Sequence, residues 1–211
     1  MLKKLLIVVW FGPYPIWLNK WVANMEVLKS QGFDYLIISN KELFEKRIKD
    51  KLGLETVIEE GTGKPWDFRP ALGVLFEEEI KGYDYWGHTD FDCIYGDISK
   101  FMPDEELSGL ELWSNHHNYV CGPWTLYKNC EKVNNCFYLC NQWKELMLDK
   151  NGNGWVERDF TLTIERNLVY KYTMFQADKP DNLTVKDGCL YDDGKEIMMF
   201  HFRHYKYWPN V

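Results

Sequence analysis

The first residues able to do chemistry in this chain are two aspartates one residue apart, Asp90-Phe91-Asp92. They end the apolar stretch 83–89 and precede Ile94-Tyr95-Gly96. Side chains alternate along a strand, so carboxylates at i and i+2 point to the same side. Where the strand ends, both could reach one divalent cation. A hard ion such as Mn²⁺ or Mg²⁺ accepts oxygen ligands and keeps positions for water and substrate phosphates. Held by Asp90 and Asp92, it would neutralise charge on a leaving diphosphate, which gives Asp92 a catalytic role as well. The competing reading is two solvated acids in a turn.

Further candidates lie in the second half. Glu157 and Asp159 precede an apolar helical pattern, and a carboxylate there could serve as base for a hydroxyl nucleophile. Asp159 could equally cap that helix. Trp124, in Cys121-Gly122-Pro123-Trp124, could lie beneath a sugar ring, with His116 and His117 close by in the chain. His201 follows an apolar strand, and such a histidine is either a ligand or a hydrogen-bonded structural residue. The run from Asp149 to Gly154 copies the start of a calcium loop, but its twelfth position is Phe160 instead of a bidentate Glu, so it reads as a turn.

The elements that position these residues follow from apolar spacing. Residues 5–10 form an unbroken apolar run, as in a strand covered on both faces. Residues 15–31 have helical spacing and stop at Gly32. Strands are expected at 33–38, 54–58 and 83–89, with helices at 41–52 and 69–81 between them. Alternating strands and helices predict an α/β fold with a mostly parallel sheet flanked by helices. Ligands bind such sheets beyond the carboxyl ends of the strands, where Phe11-Gly12 and Asp90-Phe91-Asp92 fall. The rest is less regular: strands near 109–114 and 125–128, helices at 133–148 and 160–167, and a hairpin of 185–191 with 195–200 around Asp192-Asp193-Gly194.

At 211 residues the chain fits one domain. Its net charge of −7 and lack of a basic patch argue against a nucleic-acid partner. The run 5–11 is too short to span a bilayer and lacks a signal cleavage site, so no membrane insertion and a cytoplasmic location are expected. None of the six cysteines forms a Cys-x-x-Cys pair. Cys136 and Cys140 would share a helix face, and free buried thiols are expected. Ten Trp and thirteen Tyr offer flat apolar faces with polar tips, which suit either carbohydrate or a dense aromatic core.

Three runs carry a resemblance: Trp66-Asp67-Phe68-Arg69-Pro70-Ala71-Leu72-Gly73, Gly82-Tyr83-Asp84-Tyr85-Trp86-Gly87 and Thr89-Asp90-Phe91-Asp92-Cys93-Ile94-Tyr95-Gly96-Asp97. Together they resemble the small bacterial and viral glycosyltransferases of the GT-A type, among them the N-terminal domains of chlorovirus capsid-glycosylating enzymes. The resemblance covers residues 1–100 well and the remainder loosely. It implies a Rossmann-like GT-A fold, a nucleoside-diphosphate sugar donor (UDP foremost) and Mn²⁺ or Mg²⁺ at Asp90 and Asp92. It also implies nucleotide contacts at Phe11 and Gly12, and donor contacts at Asp67 and Arg69, whose guanidinium suits phosphate or sugar hydroxyls. A plain turn and a surface ion pair are the alternatives there. In related families a C-terminal His completes the metal shell and a Lys reaches the diphosphate. Here the run His201-Phe202-Arg203-His204-Tyr205-Lys206 has His204 where that pattern has Gly. The choice among its basic residues stays open, with His201 and Lys206 the leading pair.

The expectation is one domain, 1–211, with a nucleotide-binding half at 1–100 and an acceptor half at 101–211. The acceptor would be a glycan or glycoprotein, a viral capsid glycan included, and a viral enzyme would work in the host cytoplasm. A nucleotidyltransferase acting on sugar phosphates and a non-catalytic carbohydrate-binding module are the alternatives.

Overall fold

The computed structural model describes residues 1–120, 122–149, 154–177 and 182–202. In chain order the elements are β1 (Lys4–Val9), α1 (Leu18–Leu28), β2 (Phe33–Ile38), α2 (Lys41–Arg47), α3 (Leu72–Leu75), β3 (Tyr85–Thr89), β4 (Cys93–Tyr95), α4 (Ile98–Phe101), α5 (Asp104–Leu107), β5 (Leu112–Ser114) and β6 (Trp124–Lys128). There follow α6 (Glu131–Asn134), α7 (Trp143–Leu148), α8 (Thr161–Asn167), β7 (Tyr170–Tyr172), β8 (Gln176–Ala177), β9 (Leu183–Lys186), β10 (Cys189–Asp192), β11 (Lys195–Ile197) and β12 (Met199–His201).

A six-stranded sheet in the order β2-β1-β3-β6-β5-β7 forms the centre. It is mixed and mostly parallel, β6 alone running against its neighbours. Because β1 is flanked by β2 on one side and β3 on the other, the crevice for a ligand opens where those three strands end. Each face of the sheet carries its own core. Leu6, Val8 and Tyr85 pack with Trp21, Met25 and Leu28 of α1. Leu5, Ile7 and Trp86 pack on the other face with Phe44, Phe68, Leu72 and Phe160. Two smaller sheets, β4-β12-β8 and the meander β9-β10-β11, complete the fold. Among the described residues no helix is long and apolar enough to cross a membrane.

Several expected elements take other forms. Residues 54–58 form no strand: Leu54 and Ile58 are buried in the core, but the stretch pairs with no strand among the described residues. The helix expected at 69–81 is a 3-10 segment, Lys64–Ala71, followed by the single turn α3. Pro70 removes one amide, and a Cβ on Gly73 would come within 2.7 Å of the Trp86 indole, so the segment is shaped by close approach to β3. The helix expected at 133–148 is three pieces: α6, a 3-10 turn Cys136–Leu139 and α7, which Gln142 starts at φ 61°. Cys136 and Cys140 are buried, but not on one helix face. The expected hairpin is split again by Asp187-Gly188. Both Asp-Gly pairs have positive φ, as two-residue hairpin turns require. The calcium-like run falls largely on residues 150–153, outside the described residues.

Candidate functional site

The strands β1 and β3 run side by side, with Ile7 opposite His88. The chain therefore leaves both at the same level, as Trp10-Phe11-Gly12 and as Asp90-Phe91-Asp92. The aspartate triplet is not strand but the short connection from β3 to β4. Phe91 is its anchor. Its ring lies 5.0 Å from Trp21, 5.5 Å from Trp10 and 6.2 Å from Tyr14. Its carbonyl accepts a 2.8 Å hydrogen bond from Trp17 Nε1. With Phe91 held in the core, the two carboxylates on either side go to different partners.

Asp92 is buried and meets His201, with Nε2 3.5 Å from Oδ2. The pairing of β12 with β4 sets His201 opposite Cys93, and the Phe202 amide donates to the Asp92 carbonyl at 2.9 Å. One ligand atom from each of Asp92, Cys93 and His201 lies within 4.8 Å of the other two. These three make a candidate metal centre, and all are buried. Cys93 is the member that sequence reasoning missed, although it follows the Asp-x-Asp triplet directly. Asp90 stands outside this trio, and its carboxylate pairs with the Arg69 guanidinium.

The 3-10 segment that replaces the expected helix delivers both Asp67 and Arg69. Phe68 between them is fully buried, 6.0 Å from the Phe44 ring. Asp67 forms a buried ion pair with Lys64 at 2.8 Å, and Lys64 also donates to the Asp149 carbonyl. Burial raises the Asp67 pKa above the ordinary carboxylate value, with Lys64 opposing the rise. A Cβ at Gly122 would sit 3.0 Å from Arg69 Nη1 and 3.5 Å from Glu157 Oε1, so both side chains border that glycine. Arg69, Asp67 and Glu157 all line a groove of about 1260 Å³.

Other expected positions are corrected. Trp124 cannot lie under a sugar: it is fully buried on β6, with Tyr95 at 5.1 Å, Phe33 at 5.7 Å and Trp113 at 6.1 Å. The Phe11 ring is buried against Phe44 at 5.5 Å, so it offers no open face to a nucleotide base. Gly12 has φ 107°, a conformation that requires glycine there. Asp159 does not cap a helix, because the wide turn Val156–Phe160 runs unbroken into α8. Its carboxylate pairs with Arg158 at 2.8 Å. His116 stacks on Tyr119 at 3.5 Å. Lys206, Arg203 and His204 lie outside the described residues.

Residues 41–207 match the model described as "Family of unknown function (DUF6625)", and the chain belongs to that family. No curated protein matches the sequence. Among solved structures, the chain is similar to a glycosyltransferase involved in glycosylation of the major capsid of PBCV-1, at 11% identity, 94% coverage of each chain and a TM-score of 0.56. A Drosophila β1,4-galactosyltransferase 7 mutant crystallised with manganese, UDP-Gal and xylobiose matches at 18% identity, 96% of this chain, 72% of that one and a TM-score of 0.48. The fold is of the GT-A glycosyltransferase type, as the sequence resemblance implied.

Proposed function

We propose that this member of a family of unknown function is a metal-dependent glycosyltransferase of the hexosyltransferase type. It moves a sugar from a nucleoside-diphosphate donor, UDP foremost, to a glycan or glycoprotein, with viral capsid glycans among the acceptors to try. The observation that carries this reading is the meeting of Asp92, Cys93 and His201 at the crevice of a GT-A-type sheet, beside the Asp90–Arg69 pair.

The donor set fits a divalent ion. Carboxylate and imidazole together suit Mn²⁺ better than Mg²⁺, which prefers oxygen, and the thiol adds affinity for softer ions such as Zn²⁺. Asp92 and His201 would hold the ion, and when bound it offsets charge on the departing diphosphate. Asp90 holds the Arg69 guanidinium toward the crevice, where its planar fork can meet phosphate or sugar oxygens. Glu157 borders the same glycine as Arg69 and is the carboxylate we assign to take the acceptor hydroxyl's proton. We further propose one domain over 1–211, with donor contacts from 1–100 and acceptor contacts mainly from 101–211. Lys206 keeps its proposed role toward the diphosphate.

Thermal unfolding with UDP, GDP and their sugars, each with Mn²⁺ or a chelator, tests this reading. A nucleotide at about a hundredfold its Kd should raise the midpoint by roughly 5–10 °C, and only with metal. Asp92→Asn should remove that shift while the protein stays folded. Stabilisation by free sugars, with no response to nucleotide in either condition, would instead favour a carbohydrate-binding module. Pyrophosphate release from a nucleoside triphosphate and a sugar phosphate would favour a nucleotidyltransferase.

A further inference from the structure

The groove that begins at Arg69 and Glu157 runs away from the crevice past Trp66 toward α2. Trp66 is 51% exposed there, unlike most tryptophans of the chain, which serve the core. Its ring rests on Gly63, where a Cβ would come within 2.9 Å of the indole. Gly63 has an ordinary φ of −76°, so its backbone does not demand glycine, and the missing Cβ makes room for the ring.

The charges of the groove are matched in a particular way. Lys64 pairs with Asp67 and Lys49 with Glu55, both at 2.8 Å, and Lys46 pairs with Asp50. Arg69 pairs with Asp90. Among the described residues, Glu59 and Glu157 form no ion pair with a cation. The lining carries five carboxylates (Glu45, Glu55, Glu59, Asp67 and Glu157) against four cations (Lys46, Lys49, Lys64 and Arg69), and this excess of negative charge disfavours an acidic glycan. An uncharged sugar needs an apolar face beneath its C–H surface and acceptors around its hydroxyls. Trp66 supplies the first over its exposed half, with the Arg69 guanidinium 5.5 Å from the ring centre and so beside a seated sugar. Glu59 and Glu157 supply the second.

We infer that this groove binds the acceptor as a neutral, polyhydroxylated glycan, with one ring seated on the Trp66 indole. This deepens the glycosyltransferase reading and rests on it. The terminal hydroxyl of such a chain arrives beside Glu157 and Arg69, at the crevice end of the groove.

The test measures binding of xylotriose, cellotriose and chitotriose against trigalacturonic acid by calorimetry and saturation-transfer NMR. At least one neutral trisaccharide should bind, and trigalacturonate should not. Trp66→Ala should weaken the neutral ligand about tenfold, while Trp66→Phe stays within about threefold. Gly63→Ala, which displaces the ring without removing it, should also weaken binding and serves if Trp66→Ala does not fold. The Mn²⁺-dependent shift with UDP is measured on the same proteins and should survive in Trp66→Ala. Binding that ignores Trp66, tighter binding of trigalacturonate, or no neutral binding at all overturns the inference, even if the UDP response is intact. Loss of the UDP response in the wild-type protein overturns the transferase reading instead, whatever Trp66 does.

Discussion

Asp67 shows how a single residue can be both structural and poised for function. Its carboxylate and the Lys64 ammonium are both buried and lie 2.8 Å apart. Burial nevertheless raises the Asp67 pKa, with Lys64 only partly offsetting it. A carboxylate raised in the folded state binds its proton more readily there than in the unfolded chain. Its contribution to stability is therefore fully present below the ordinary value of 3.8 and declines as pH rises toward the folded value. This runs against the usual loss of stability in acid. Asp67→Asn should remove that pH-dependent component. At pH 7 it should leave stability unchanged or raise it, because burial of the charged carboxylate outweighs its attraction to Lys64 and the neutral amide escapes that cost. Urea unfolding of the variant between pH 3 and pH 7 measures both effects. A variant clearly less stable than the parent at pH 7 would show that the ion pair outweighs desolvation.

At the scale of elements, the approach of β3 to β6 depends on Gly87. A Cβ there would stand 2.4 Å from the Thr125 carbonyl oxygen and 2.7 Å from Leu126 Cδ2. Gly87→Ala should cost about 3 kcal/mol by forcing those strands apart. Gly109→Ala, whose Cβ meets only Glu106 O at 3.5 Å, should be nearly neutral in the same denaturation series. Strand β1 was legible because its apolar run is unbroken and buried on both faces. Strand β2, with Asp34 inside it and mostly half-buried, and β3, with Gly87 and His88, were legible from aromatic and branched residues bounded by turn signals. Helix α1 was legible from its spacing. The 54–58 run was misread because Leu54 and Ile58 are apolar for the core's sake, and periodicity carries no information about a missing partner strand. The 133–148 pattern was misread for a related reason. Val133, Phe137, Cys140 and Met147 are all buried, but three short segments bury them as well as one helix would. Asn134, the last residue of the first segment, accepts from Trp86 Nε1 at 2.7 Å and so ties that segment to β3. At the site, Asp92 and His201 could be picked out by type and position. Cys93 and the exposed Trp66 could not, since their roles depend on the register of β12 with β4 and on the Gly63 turn.

Over the whole molecule, stability should be uneven, and its boundary should fall next to the candidate metal centre. The six-stranded sheet is held by two large cores, whereas the meander β9-β10-β11 rests on a small cluster of Leu190, Ile197, Phe200 and Phe202. Strand β9 is an edge with Val185 69% exposed, and Lys100–Glu196 at 3.0 Å is a partly exposed tie. Met198 and Met199, by contrast, are fully buried in the main core, and β12 pairs with both β4 and β8. Hydrogen exchange should therefore divide the C-terminal region at Ile197. Amides of β9 and β10 should exchange at least about a hundredfold faster than those of β1 and β3, through a local opening of the meander. Amides of β12 should stay protected with β4, so that His201 remains against Asp92 while the meander opens. If β12 exchanges with β9 and β10 instead, His201 leaves Asp92 whenever the meander opens. Mn²⁺ would then have to slow exchange across β9–β12 together. Native-state exchange followed by mass spectrometry, with and without Mn²⁺, separates these two cases.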